Sequence, residues 1–110
     1  AVQPSEATFG AAASKANWTS TPNFAVNLNN QPGANSWPIT AATFILMHKK
    51  AEKPEQSAEV LKFFHWALTK GQKMAVDLDY VPLPDNAVKA IVSSWSDIKG
   101  PDGKPVYVGK

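Results

Sequence analysis

The sequence predicts an α/β fold, and three patterns carry that expectation. Phe44-Ile45-Leu46-Met47 is a continuous apolar run that closes a stretch rich in β-branched residues. Two later segments, beginning near Pro54 and Asp85, repeat apolar residues at the three-and-four spacing of a helix face. Phe24-Ala25-Val26-Asn27-Leu28 alternates in the way of a strand with one covered side.

Taken in order, Ser5 can cap a first helix through about Ser14, with Phe9, Ala12 and Ala13 on one side. Asn17 to Pro22 is polar and loop-like, and the half-buried strand Phe24 to Leu28 follows. Asn29-Asn30-Gln31-Pro32-Gly33 is a turn by composition, because each residue type tolerates or pre-sets turn dihedrals. Trp37 precedes Pro38, which biases it toward an extended backbone. Ile39 to Met47 then reads as a strand covered on both faces, as in a mainly parallel sheet. A buried helix is its rival, but Ile39, Thr40, Thr43 and Ile45 favour the strand. Such a strand needs neighbours that this chain scarcely offers.

Pro54 suits a first helical position, and Glu55 and Glu59 complement the positive helix terminus. Val60, Phe63, Phe64, Ala67 and Leu68 form the apolar stripe of that helix, and Lys70-Gly71 stops it. Met74 to Leu78 suggests a short helix before extended Tyr80-Val81-Pro82-Leu83-Pro84. Asp85 is the expected cap of a last helix whose stripe is Val88, Ile91, Val92 and Trp95. Pro101-Asp102-Gly103 marks a closing turn. Neither an internal repeat nor a low-complexity tract is present.

Composition narrows the function classes. With 44% apolar residues and four tryptophans, the chain is globular in type. No apolar run approaches the ~20 residues of a membrane-spanning helix, so the expectation is a protein not embedded in a membrane. A net charge of +2, thinly spread, argues against nucleic acid as a partner. The absence of cysteine removes disulfides, iron–sulfur clusters and thiol catalysis. All eleven basic residues are lysine, so a phosphate site built from this chain alone would lack the bidentate guanidinium fork. Ala1-Val2-Gln3-Pro4 has neither the charge nor the apolar segment of a signal peptide, so any targeting peptide is expected either to have been removed or, the favoured reading, to lie upstream of a much longer portion.

Several residues invite chemistry, each against a plainer reading. Asp77-Leu78-Asp79-Tyr80-Val81 has the local form of a phosphatase motif, with Asp77 as nucleophile, Asp79 as acid/base and magnesium between them. The preceding Gly71-Gln72-Lys73 looks helical, which favours a solvated acidic turn. His48 and His65 could seek a metal with Asp77 or Glu52, but lack the spacing that sets two ligands on one helix face, so no metal is expected. Trp18, Trp37, Trp66 and Trp95 could stack on sugars, although Trp95 lies on an apolar stripe and Trp66 flanks one. Gly33 and Gly71 stand alone and make no phosphate loop. Thr40, Ser20-Thr21, Ser93-Ser94 and the helix starts at Ser5, Pro54 and Asp85 could hold an anion only in a special backbone context.

The order of segments along nearly the whole chain is more specific than any single motif. Gln31-Pro32-Gly33-Ala34-Asn35-Ser36-Trp37-Pro38-Ile39-Thr40 leads into Ala41-Ala42-Thr43-Phe44-Ile45-Leu46-Met47-His48-Lys49, and Val60-Leu61-Lys62-Phe63-Phe64-His65-Trp66-Ala67 follows after a polar turn. Pro4-Ser5-Glu6, Asn17-Trp18, Lys53-Pro54-Glu55-Gln56, Asp77 to Pro84, Trp95 and Gly103-Lys104-Pro105-Val106-Tyr107 fall around them. In these segments the chain resembles the C-terminal third of the periplasmic phosphate-binding proteins of bacterial phosphate-importing ABC transporters, whose members are roughly three times this length.

The resemblance implies a type II two-lobed solute-binding protein with three-layer α/β/α lobes joined by crossing hinge strands. Residues 1–36 would end the second lobe, Trp37, Pro38, Ile39 and Thr40 would be the hinge crossing, and residues 41–110 would belong to the first lobe. It also implies a periplasmic binding protein, not an enzyme, with inorganic phosphate and the membrane permease subunits as partners and no cofactor. The family holds phosphate with backbone amides, hydroxyls, an arginine and a carboxylate from earlier segments. No phosphate-binding residue is therefore expected in this chain. The alternative is a stand-alone small binding domain for a sugar or another anion.

Overall fold

A computed structural model describes residues 1–108, so Gly109 and Lys110 at the end of the expected tail lie outside the described residues. Four helices carry the structure: α1 (Glu6–Lys15), α2 (Pro54–Thr69), α3 (Gln72–Asp77) and α4 (Asp85–Ser94). Single 3₁₀ turns occur at Pro22–Phe24 and at Trp95–Asp97, the latter continuing α4. Among the described residues there is no sheet. The β pairing is confined to two isolated bridges, Lys50 with Lys99 and Lys99 with Pro105. The expected three-layer α/β/α architecture is thereby overturned.

Both expected strands fail for the same reason, the lack of a ladder partner. Phe24, Val26 and Leu28 do turn inward while Ala25 and Asn27 face out, so the alternation is real. Its first residue, however, belongs to a 3₁₀ turn in which Asn23 and Phe24 have φ of 59° and 57°. Ile39 to Met47 is irregular, with no helical or ladder pattern along it. Phe44 and Ile45 are exposed and Leu46 is 91% exposed, where burial on both faces was expected. A strand is completed only by distant sequence, and no other segment of this chain comes alongside.

The helices follow local chemistry more closely. Ser5 caps α1: its hydroxyl accepts from Thr8 N–H at 3.2 Å, and Thr8 Oγ1 accepts from Ser5 N–H at 3.0 Å. This reciprocal box uses threonine where glutamate or glutamine is commoner. The buried face of α1 is Ala12 and Ala13, small enough for close approach to Ala87 on α4. Trp18 donates its indole N–H to the Ala13 carbonyl at 2.9 Å, satisfying one of the open acceptors at the helix end.

In α2 the buried stripe keeps Phe64 and Leu68 of the expected one but is centred on a residue outside it. Leu61, at 1% exposure, is its centre, and Phe64 and Leu68 flank it, whereas Phe63 is 58% exposed. Gly71, just past the helix end, is required by space and not by dihedral freedom. A Cβ there would lie 2.9 Å from the Ala67 carbonyl oxygen. At α4, Pro84 and not Asp85 occupies the cap position, and Asp85 is the first helical residue. Its carboxylate acts on the helix dipole instead of bonding a cap N–H.

Two apolar clusters result, and α4 reaches both. Ala13, Ala16, Trp18, Leu28 and Ala87 form the first, with Phe24, Val26, Ala42 and Leu83 against it. Ala51, Leu61, Trp95 and Ile98 form the second, joined by Phe64, Leu68, Ile91 and Val92. The C-terminal segment folds back over the second cluster: Val106 N–H donates to the Ile98 carbonyl at 3.0 Å, and His65 Nδ1 meets the Tyr107 hydroxyl at 2.8 Å. The molecule measures 53 × 30 × 19 Å with a radius of gyration of 15.4 Å, against about 13 Å for a compact chain of this length.

Leu61→Ala is expected to cost about 3 kcal/mol, because it empties the centre of the second cluster. Phe63→Ala, from the outer face, is expected to cost less than about 1 kcal/mol. Urea denaturation of both variants checks this; equal losses would place Phe63 inside.

Candidate functional site

The expected hinge residues lie on a turn-rich segment, residues 27–40, that contains no titratable side chain. The turn is built from asparagines. Asn27 Oδ1 accepts from Asn29 N–H at 2.9 Å, and Gln31 Nε2 donates to the Asn27 carbonyl at 2.7 Å. Asn30 takes φ of 53°, a left-handed conformation that asparagine tolerates. Gly33 has φ of 116°, and Ser36 closes the loop by donating its N–H to the Gly33 carbonyl and its hydroxyl to the Pro32 carbonyl.

The four hinge candidates are held unequally. Trp37 donates its N–H to the Thr8 carbonyl of α1 at 3.0 Å, and its ring lies 6.1 Å from that of Phe9. The Pro38 carbonyl accepts from Asn30 N–H at 2.9 Å. Thr40 donates its N–H to Asn29 Oδ1 at 3.0 Å and its hydroxyl to the Trp37 carbonyl at 3.1 Å. Ile39, 73% exposed, touches none of these anchors through a hydrogen bond. The segment is therefore pinned at Trp37, Pro38 and Thr40. Beyond Thr40, residues 41–48 make no main-chain hydrogen bond among the described residues.

Sequence reasoning named the hinge candidates but not the residues that anchor them. Thr8, Phe9, Asn29 and Asn30 hold them. The turn was readable from the Asn-Asn-Gln-Pro-Gly pattern, whereas the reach of the Asn29 side chain to Thr40, eleven residues on, leaves no local trace.

The other candidates are scattered. Asp77 ends helix α3 and pairs with Lys73 at 3.1 Å on the surface, while Asp79 sits in a left-handed turn with φ of 64°. A helix end is not the strand terminus that the phosphatase reading needs. His65 lies under Tyr107 and Trp95, and His48 is exposed; neither joins a cluster of three His, Cys, Asp or Glu among the described residues. The tryptophans do not share a platform. Trp18 and Trp95 are buried in different clusters, Trp37 faces Phe9 and Trp66 faces Phe63. The hydroxyls of Thr40, Ser20 and Ser94 donate to nearby carbonyls, and that of Ser5 is engaged in its capping box. Two open depressions of about 490 and 570 Å³ flank the Lys99–Pro105 crossing, and the second mixes Lys49, Lys50 and Lys99 with Glu52 and Asp97.

No protein-family model matches the chain. Curated relatives do. The phosphate-binding protein PstS of Pasteurella multocida is 48% identical over 107 residues, which is 96% of this chain and 31% of that protein. Its counterpart in Haemophilus influenzae is 50% identical over 94 residues, 86% of this chain and 28% of that protein. One from Xylella fastidiosa is 46% identical over 95 residues, 86% of this chain and 26% of that protein. The chain belongs to the PstS family. It spans less than a third of the length of these relatives, and the match falls in their C-terminal part.

The family assignment leaves the anchor geometry of residues 29–40 as the feature to test. Asn29→Ala orphans the N–H of buried Thr40 and is expected to cost about 1 kcal/mol. Chemical denaturation with hydrogen exchange at the Thr40 amide measures both effects, and an unchanged amide would show that the bond does not persist in solution.

Proposed function

We propose that this chain supplies the C-terminal part of a phosphate-binding component of an ABC transporter that imports inorganic phosphate. The observation that supports this is the 48% identity to a PstS protein over almost the entire chain. In this reading the protein works in the periplasm, delivers phosphate to the membrane permease subunits and is a binding protein, not an enzyme. Among the described residues no helix is long and apolar enough to cross a membrane.

The phosphate ligands come from sequence upstream of the matched part, and this chain contributes scaffold. Residues 1–36 close one lobe, Trp37 to Thr40 form the crossing, and residues 41–110 belong to the other lobe. Proline at the crossing fixes one dihedral and removes one donor, which restricts the rotations available there. The neutrality of residues 27–40 suits a joint whose angle is set by packing and hydrogen bonds and not by charge. One contact bears directly on the movement. Ala87 of α4 shares a cluster with Trp18 and Leu28, so residues on the two sides of the crossing touch. A rotation at residues 37–40 must also slide α1 along α4.

Calorimetric titration tests the reading on a protein in which this chain replaces the matched part of the Pasteurella multocida relative. Tight phosphate binding with sulfate silent is the expected result, and no phosphate binding refutes it. In the same protein, Pro38→Gly is expected to shift phosphate affinity by about two- to fivefold through the open–closed balance. Unaltered affinity together with an unaltered closure rate would remove the crossing from the mechanism.

A further inference from the structure

Residues on the two sides of the hinge candidates meet where α1 and α4 touch. Ala87 of α4, which has no exposed surface, is enclosed by Ala13, Ala16, Trp18 and Leu28. Beside it, Asn86 Nδ2 donates to the Ser14 carbonyl at 3.3 Å. Among the described residues this is the one hydrogen bond that joins residues 1–36 to residues 41–108.

This contact stands off from the pivot. Trp37 is tied to α1 at Thr8, and Ser14 lies about 9 Å further along that helix, at about 1.5 Å per residue. A rotation of about 15° across the helix axis, ordinary for a rigid-body movement, carries Ser14 about 2 Å relative to α4. The Asn86 bond does not survive such a shift. Alanine has no rotamer with which to follow its neighbours, so the packing around Ala87 is lost and not stretched. The contact is therefore made at one angle of residues 37–40 and absent at the other.

No ligand is needed to form it. Ala13, Ser14, Ala16, Trp18, Leu28, Asn86 and Ala87 carry no charge and all belong to this chain, whereas the phosphate ligands are placed upstream in the proposed function. A contact that forms without phosphate, and that rotation breaks, favours the ligand-free angle. We propose that the α1–α4 contact is a clasp that holds the two lobes open, so that closure on phosphate must break it. Its strength is then subtracted from the affinity for phosphate, and loosening the clasp tightens binding without touching any phosphate ligand. This rests on the two-lobe reading given under the proposed function.

Spin-label distances and calorimetry test the clasp on the chimeric full-length protein. Thr19 and Lys70 are exposed, one on each side of the hinge candidates, and carry the labels as Thr19→Cys and Lys70→Cys in a chain without cysteine of its own. Ala87→Leu overfills the enclosed position. Asn86→Ala removes the bond from an exposed side chain and leaves the packing alone, so it decides the matter by itself if Ala87→Leu does not fold. Without phosphate, both variants are expected to move the label distances toward those of the phosphate-bound protein. Phosphate affinity is expected to rise about fivefold or more with Ala87→Leu and about twofold with Asn86→Ala. Unaltered phosphate-free distances overturn the clasp. Weaker phosphate binding overturns it in favour of a contact made in the closed state. Distances that move while affinity stays the same reveal a local wedge, which overturns it too. If the unsubstituted chimera binds no phosphate, the transport reading fails, and the response of the phosphate-free distances to the two substitutions still decides whether this contact holds the angle.

Discussion

Helix α4 is the member on which the rest of the described structure depends. Ala87 and Val88 near its start are buried, and Ala87 has no exposed surface at all. One turn later Ile91, Val92 and Trp95 face a different cluster. A ten-residue helix of this kind is marginal alone in water, so tertiary burial is what holds it. In return it joins α1 and the Phe24–Leu28 segment to α2 and the C-terminal return. Without α4 the two clusters would have no shared wall. The slab-like dimensions follow from that arrangement, since two small cores side by side do not make one round one.

Helices were legible because their information is local. The Ser5 cap, Pro54 with Glu55, and the repeats at Val60 to Leu68 and Val88 to Trp95 are complete within a few turns. Errors there were small: Leu61 was left out of the α2 stripe, exposed Phe63 was put into it, and Pro84 instead of Asp85 holds the α4 cap. The strands were misjudged because a strand is a relation between distant segments. The pattern of Ile39 to Met47 carries an apolar, β-favouring composition, yet no residue within it says whether a neighbour will be present. The return of Val106 and Tyr107 over His65 and Trp95 was missed for the same reason, being a contact between residues 42 apart in sequence.

At the candidate site the balance is similar. The turn residues and the Trp37-Pro38 pair could be read directly, because proline and asparagine impose their own dihedrals. The bonds that fix residues 37–40 to α1 and to Asn29 could not. The acidic pair Asp77 and Asp79 shows how a short pattern misleads: its chemistry requires a strand end, and the lysine four residues earlier makes the first aspartate part of a helix surface instead.

The exposed apolar segment at residues 43–47 has a consequence for the polypeptide itself. Thr43-Phe44-Ile45-Leu46-Met47 combines high β-propensity, strong hydrophobicity and no charge, which is the composition that seeds stacked, amyloid-like assembly. It is bracketed by Pro38, which cannot extend a ladder, and by Lys49 and Lys50, whose repulsion opposes stacking of identical chains. These three residues are gatekeepers. They limit the window of the chain that a growing aggregate could recruit to residues 39–48.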